Sequence, residues 1–234
     1  MTDALSLDLD TLAAQTATIT RDPWLVRRSY GWGASEVAAL LLAYDPREDE
    51  IASARVYHRE DAAVGRSGVP RCVARKAGLL ASRRSSRSMA VGSEREAELL
   101  ERWAADAGER VWLADEAPRE WYPLVDRECP ELTATPDAWT RGPSDELLVV
   151  EAKCTADFPT ELPWYWRVQV SAQIATMAAA AGYVVCGRGW ITGASTVPIA
   201  WLVERDEDEI ARVRRVARIA WAEVLRLRAA KGNA

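Results

Sequence analysis

At 234 residues the chain is long enough to bury one large hydrophobic core and too short to require a second domain. Hydrophobic residues make up 49% and charged residues 28%, an ordinary soluble balance, and no apolar run nears the roughly 18 residues of a membrane span. The net charge of −5 excludes a uniformly basic surface but not a local basic patch, and local potential is what steers a polyanion. Cys72, Cys129, Cys154 and Cys186 form no Cys-x-x-Cys pair, so a zinc ribbon or iron–sulfur ligand set is unsupported and a reducing cytoplasm is expected. The single histidine, His58, excludes a histidine-rich zinc site and leaves a serine-type triad resting on one residue; it reads as a surface or helix-end residue.

Residues 1–20 are rich in Thr, Ala and Asp with weak periodicity and read as an N-terminal lead. They lack the basic-then-apolar order of a signal peptide. Residues 21–234 read as a single domain, since no repeat, low-complexity tract or linker divides them. From Trp24, Gly31 and Gly33 break a first short helix, and Ser35 is placed to cap a second from Glu36 to Ala43. Arg27 and Arg28 lie just upstream. A helix start with nearby arginines suits a phosphate, although Ser35 serving only as a cap, with arginines in water, explains the same pattern.

Helices are expected over Asp49–Gly65 and Val69–Ala81. Arg71, Arg75, Lys76, Arg83, Arg84 and Arg87 then span a stretch without an acid, which reads equally as a solvated loop or as a track for phosphates. Met89–Gly108 has Ala97, Leu100, Trp103, Ala104 and Ala107 at helical spacing, with Gly108 as its stop. Glu96 sits beside that stripe and should face inward more than Glu94 or Glu98, where an acid needs a partner or a metal. Strands are expected within 110–124.

The pivotal stretch is 134–154. It predicts a short strand carrying Asp137, a tight turn through Gly142 and Pro143, and a second strand from Leu147 to Cys154. Strand alternation points Leu148, Val150 and Ala152 one way and Val149, Glu151 and Lys153 the other. Glu151 and Lys153 then share a face, and the turn brings Asp137 close. Oxygen-donor acids beside a lysine are what metal-assisted phosphodiester hydrolysis uses. A Glu and a Lys two apart on a half-exposed strand is also a common decoration.

Downstream, a helix over Trp164–Ala181 carries Gln169 and Gln173 on one face. Trp164 and Trp166 at its start read as core residues or as aromatic surfaces for stacking a base. Tyr183–Trp190 and Val197–Val203 read as strands. Glu207–Lys231 reads as a long amphipathic helix with Ile210, Val213, Val216, Ile219, Ala220, Val224 and Leu227 inward. Trp103, Trp201 and Trp221 fall on apolar stripes. The order is that of an α/β protein with a central mixed β-sheet flanked by helices.

Five short motifs, in order and each on the right kind of element, carry a resemblance: Gly33-Ala-Ser-Glu-Val, Gly92-Ser-Glu-Arg-Glu96, Thr135-Pro-Asp137, Glu151-Ala-Lys153 and Gln169-x-x-x-Gln173. From Trp24 to the C-terminal helix the chain resembles the λ-exonuclease and YqaJ-type viral recombinase family of the PD-(D/E)xK nuclease superfamily. The resemblance implies a restriction-endonuclease-like core. It implies that Asp137, Glu151, the Ala152 backbone carbonyl and Glu96 hold Mg²⁺ or Mn²⁺, as two ions. Lys153 would orient or activate the attacking water and stabilise charge on the scissile phosphate, and Gln169 would complete the catalytic set. Arg28, Ser35, Thr135 and Gln169 match positions that grip a terminal 5′-phosphate. Arg27 replaces Arg28 after a one-residue shift, and Thr135 stands where the family often has serine.

The implied activity is Mg²⁺-dependent 5′→3′ degradation of one strand of linear double-stranded DNA. This leaves a 3′ single-stranded tail for a single-strand annealing protein in phage-type recombination. A homotrimer in the cytoplasm of a bacterial cell, phage- or prophage-encoded, is implied with it. An endonuclease, a RecB-like nuclease module and a catalytically silent DNA-binding module are the alternatives; the intact Asp137, Glu151 and Lys153 argue against the silent one.

Overall fold

The computed structural model describes residues 30–65, 68–81, 87–114, 123–155, 159–188 and 197–232. In chain order these form β1 (Trp32–Gly33), a 3₁₀ turn (Ala34–Glu36), and four short helices: α1 (Val37–Tyr44), α2 (Glu48–Ser53), α3 (Val56–Ala62) and α4 (Arg71–Lys76). The long helix α5 (Arg87–Ala107) follows, then β2 (Val111–Leu113), β3 (Leu124–Val125), β4 (Leu132–Ala134), β5 (Ala138–Arg141) and β6 (Leu147–Thr155). The chain continues through α6 (Trp164–Met177), β7 (Ala181–Arg188), β8 (Ile199–Glu204) and α7 (Glu207–Gly232).

Two sheets result. A three-stranded sheet runs β1-β4-β3, and a five-stranded mixed sheet runs β2-β5-β6-β7-β8. Only β6 and β7 are parallel in the larger sheet, and α6 supplies the crossover such a pair needs. Between Leu148 and Ala152 every side chain of β6 is buried, because helices cover both faces. Val149 packs with Trp166, Val170 and Ile174 of α6; Val150 and Ala152 pack with Leu99, Leu100 and Trp103 of α5. An unbroken apolar run is therefore the right sequence for this strand. A third core joins Trp32, Leu40, Leu41, Val73, Val168, Val213, Val216 and Val224, so α6 is buried on most sides between that core and the sheet.

Two glycines mark close approaches. At Gly31 a Cβ would lie 2.8 Å from the Glu131 carbonyl oxygen, where the neighbouring Trp32 N–H donates to that oxygen at 2.6 Å. At Gly182 a Cβ would meet Val149 Cγ2 at 2.4 Å and Val170 Cγ1 at 2.6 Å, so only glycine lets α6 settle on β7.

Several expectations are corrected. The helix over Asp49–Gly65 is two helices, because Ala54 and Arg55 are extended. Arg59 donates to the Ala52 and Ala54 carbonyls that the break leaves open, and Arg55 Nε donates to Tyr165 Oη at 2.8 Å. The helix over Val69–Ala81 shrinks to α4, which ends ahead of Gly78 at φ +75°. Helix α6 stops at Met177, and Ala178 turns left-handed so that Ala180 N–H can reach the Leu147 carbonyl. His58 is buried, stacked near Tyr57, Tyr165 and Trp164, rather than at the surface. Ile219 and Ala107 are exposed, whereas Ala217 and Leu99, outside the predicted stripes, are buried. Trp103 and Trp221 are buried as expected, with Trp201 partly so. The lead over 1–20 lies outside the described residues.

Candidate active site

Strands β5 and β6 are antiparallel, with Ala138 opposite Val150 and Arg141 opposite Leu147. The turn joining them runs through Gly142 and Pro143 to Asp145, which adopts φ 65°. Asp137 lies one residue ahead of β5 rather than inside a strand, at the bend after buried Pro136. From there its Oδ2 accepts the Ala152 backbone N–H at 2.8 Å, while its own carbonyl accepts from Ala114 N–H at 2.9 Å. The carboxylate thus ends the β5–β6 ladder beside Glu151.

Glu151 is 4% exposed and turned toward α6. Its Oε1 lies 2.5 Å from Lys153 Nζ and 2.5 Å from Gln169 Nε2; its Oε2 lies 2.5 Å from Gln173 Nε2. Lys153 Nζ also donates to Gln169 Oε1 at 3.1 Å. These contacts decide the amide orientations, since a carboxylate only accepts and an ammonium only donates. The i,i+4 spacing on α6 lets Gln169 and Gln173 reach the two oxygens of one carboxylate.

The charge count is unbalanced. Burial, followed by the charges of Glu151 and Glu96, raises the Asp137 carboxyl well above the usual carboxylate range. Glu96, half-buried on α5, is likewise raised by burial and then by Glu151, whereas its neighbour Glu98 is exposed. Burial alone would lower the Lys153 ammonium, but Glu151 and Asp137 outweigh it and hold the group above its ordinary value. Held by Glu151 and Gln169, its Nζ is placed to stabilise charge and to orient water. Three acids feel one another around a single ammonium, and that surplus of oxygen donors fits a hard divalent cation. No group of three or more described His, Cys, Asp or Glu side chains forms a ready-made metal cluster; the carboxylates are instead drawn toward amides and Lys153.

Beside the acids lies a small cleft of about 60 Å³, lined by Gly33, Ala34, Ser35, Pro123, Thr133, Ala134, Thr135, Gln169 and Gln173. Three residues singled out for a terminal phosphate, namely Ser35, Thr135 and Gln169, meet here. Ser35 does not cap a helix: Glu36 Oε2 accepts the Gly33 N–H at 2.8 Å, and the exposed Ser35 side chain stays at the cleft. Arg27 and Arg28 lie outside the described residues.

Other candidates are not brought to the site. Arg75 pairs with Asp61, and Lys76 pairs with Glu36 at 2.8 Å over the Trp32 ring, so this part of the basic stretch is internal. Arg83 and Arg84 lie outside the described residues. Trp164 and Trp166 are buried in the core, which removes them as base-stacking surfaces. Sequence reading missed the grip of Gln173 on Glu151, although the Gln169-x-x-x-Gln173 spacing carried the signal. It also missed Pro123, which enters the cleft by tertiary proximity alone.

No family model and no curated protein matches the chain at the level of sequence. Solved structures do. An alkaline exonuclease from Laribacter hongkongensis superposes with a TM-score of 0.61 at 16% identity, over 90% of this chain and 96% of that one. Its complex with dAMP gives 0.57 at 17% identity, over 92% and 99%. A phage-related exonuclease from Haemophilus somnus 129PT gives 0.56 at 11% identity, over 84% and 94%. The mixed sheet flanked by helices is thus shared over nearly the whole length, and the chain has the fold of these exonucleases.

Proposed function

We propose that the protein is a metal-dependent exonuclease that degrades one strand of linear double-stranded DNA from its 5′ end. The observation that carries this is the convergence of Asp137, Glu151, Lys153 and Gln169 beside the cleft of Ser35 and Thr135. The similarity in fold to an exonuclease solved in complex with dAMP supports a nucleotide as the ligand.

Asp137, Glu151, Glu96 and the Ala152 carbonyl would hold Mg²⁺ or Mn²⁺. Such a cation lowers the pKa of bound water and neutralises the phosphate under attack. Lys153 would orient or activate the attacking water and place positive charge where negative charge grows on the phosphoryl oxygens. Gln169 fastens Lys153 to Glu151 and keeps one amide hydrogen for the cleft. Ser35 and Thr135 offer hydroxyls to a terminal phosphate, and Arg28, or Arg27 after a one-residue shift, would add the charge. A 3′ single-stranded tail, its transfer to an annealing protein and a homotrimeric assembly complete the reading.

Digestion of duplexes labelled at each end, with and without a 5′-phosphate and in Mg²⁺ or EDTA, tests the proposal. The expected result is metal-dependent loss of the 5′ label, faster with the phosphate. Loss of only the 3′ label would overturn the polarity, and cutting of covalently closed circles would make the protein an endonuclease.

A further inference from the structure

Gln173 is fully buried, yet only half of its amide is used. Its Nε2 donates to Glu151 Oε2 at 2.5 Å, whereas its Oε1, also buried, has no hydrogen-bond partner. Exchanging the two ends would set an oxygen against a carboxylate, so the acceptor stays buried and without a donor, on a residue that lines the cleft.

The hydrogen bonds on Glu151 give this arrangement a consequence. A carboxylate offers about four lone-pair directions. Lys153 and Gln169 take both on Oε1, and Gln173 takes one on Oε2. One direction is left, on Oε2. We infer that Gln173 is a positioning residue that presents Glu151 to a divalent cation through Oε2 alone; this rests on the nuclease reading of the same site. The unpartnered Gln173 carbonyl is of the right class to accept from water carried by that cation. It is of the wrong class for a phosphate, whose oxygens are acceptors too. The two glutamines therefore divide the work: Gln169 serves Lys153 and the phosphate cleft, and Gln173 serves the cation.

Calorimetric titration of Mn²⁺ into the full chain, without DNA, tests this in wild type, Gln173→Leu and Gln173→Met, each verified as folded by circular dichroism. Methionine keeps the unbranched shape should leucine fail to fold. The expected result is an Mn²⁺ affinity weakened by about 10- to 100-fold, with kcat on linear duplex reduced and KM for DNA unchanged. An affinity and kcat within about twofold of wild type in a folded variant would overturn the inference. Wild-type Mn²⁺ binding without DNA degradation would defeat the nuclease reading while leaving the role of Gln173 to be judged from affinity alone. Absence of Mn²⁺ binding in wild type would defeat both.

Discussion

Arg212 and Lys153 are both packed against buried glutamates, and the two clusters end in opposite states. Around Arg212 every charge is matched, two acids, Glu50 and Asp45, against two arginines, since Arg215 also pairs with Asp45. Its Nη1 and Nη2 bind the two oxygens of Glu50 at 2.5 and 2.6 Å, and its Nε binds Asp45 Oδ2 at 2.9 Å. That fork ties the start of α2 to α7, and its hydrogen bonds with Glu50 hold Arg212 above its ordinary pKa. Around Lys153 one cation serves Glu151, Asp137 and Glu96, two acids are pushed upward, and a buried amide oxygen has no donor. A closed cluster supports the fold, whereas an open one is short of positive charge and polar partners, which is the condition of a site that binds something.

If this contrast is right, removing each cation should fail differently. Arg212→Ala leaves Glu50 buried without its partner and should cost about 3–5 kcal/mol of stability, read by denaturant unfolding. Lys153→Ala should leave a folded protein by circular dichroism but lower nuclease turnover by about 10²–10³-fold, read on linear duplex. Unchanged degradation by that variant would mean that the open cluster is not catalytic.

The cleft sharpens the comparison further. Ser35→Ala should lower the preference for 5′-phosphorylated over 5′-hydroxyl ends by roughly tenfold, the scale of one hydrogen bond to a charged group. Stability should move by no more than about 0.5 kcal/mol, because Ser35 is exposed and caps nothing. Competition between the two duplex ends checks the first part and thermal unfolding the second.

The smallest effect concerns pH. The Arg212 hydrogen bond holds the Asp45 carboxyl below its usual value, so its folded pKa lies under its unfolded one. Its contribution is present above the unfolded value of about 3.9 and is lost as pH falls through the folded value. The melting difference between wild type and Asp45→Asn should therefore be greatest near neutrality and close at low pH. Partial exposure of Asp45 screens the interaction and keeps the difference within about 1 kcal/mol. A difference that grows on acidification would contradict the closed-cluster picture.

Much of the architecture was legible because it follows from local pattern. The strand read over Leu147–Cys154 is β6, the stripe from Ala97 to Ala107 gave α5, and the amphipathic spacing from Ile210 to Leu227 gave α7. Period-two alternation correctly put Glu151 and Lys153 on one face, and i,i+4 spacing put Gln169 and Gln173 on another. The misreadings came where neighbours overrode local preference. Ala54 and Arg55 interrupt a helical text because their surroundings satisfy the open carbonyls. His58 is buried because α3 packs its ring against Tyr165 and Trp164 of α6, and the same enclosure of α6 decides for the core reading of Trp164 and Trp166.

The sequence by itself determined the hairpin of residues 134–154, its acids and its lysine, since turn chemistry and strand alternation act between near neighbours. Only the tertiary structure decided what those charges do. It brought Gln169 and Gln173 onto both oxygens of Glu151, set Ser35 and Thr135 at one cleft, and drew Arg75 and Lys76 into internal pairs. Burial and the distance between charges are properties of the packed molecule, and they separate the three acids at Lys153 from the matched pair at Arg212.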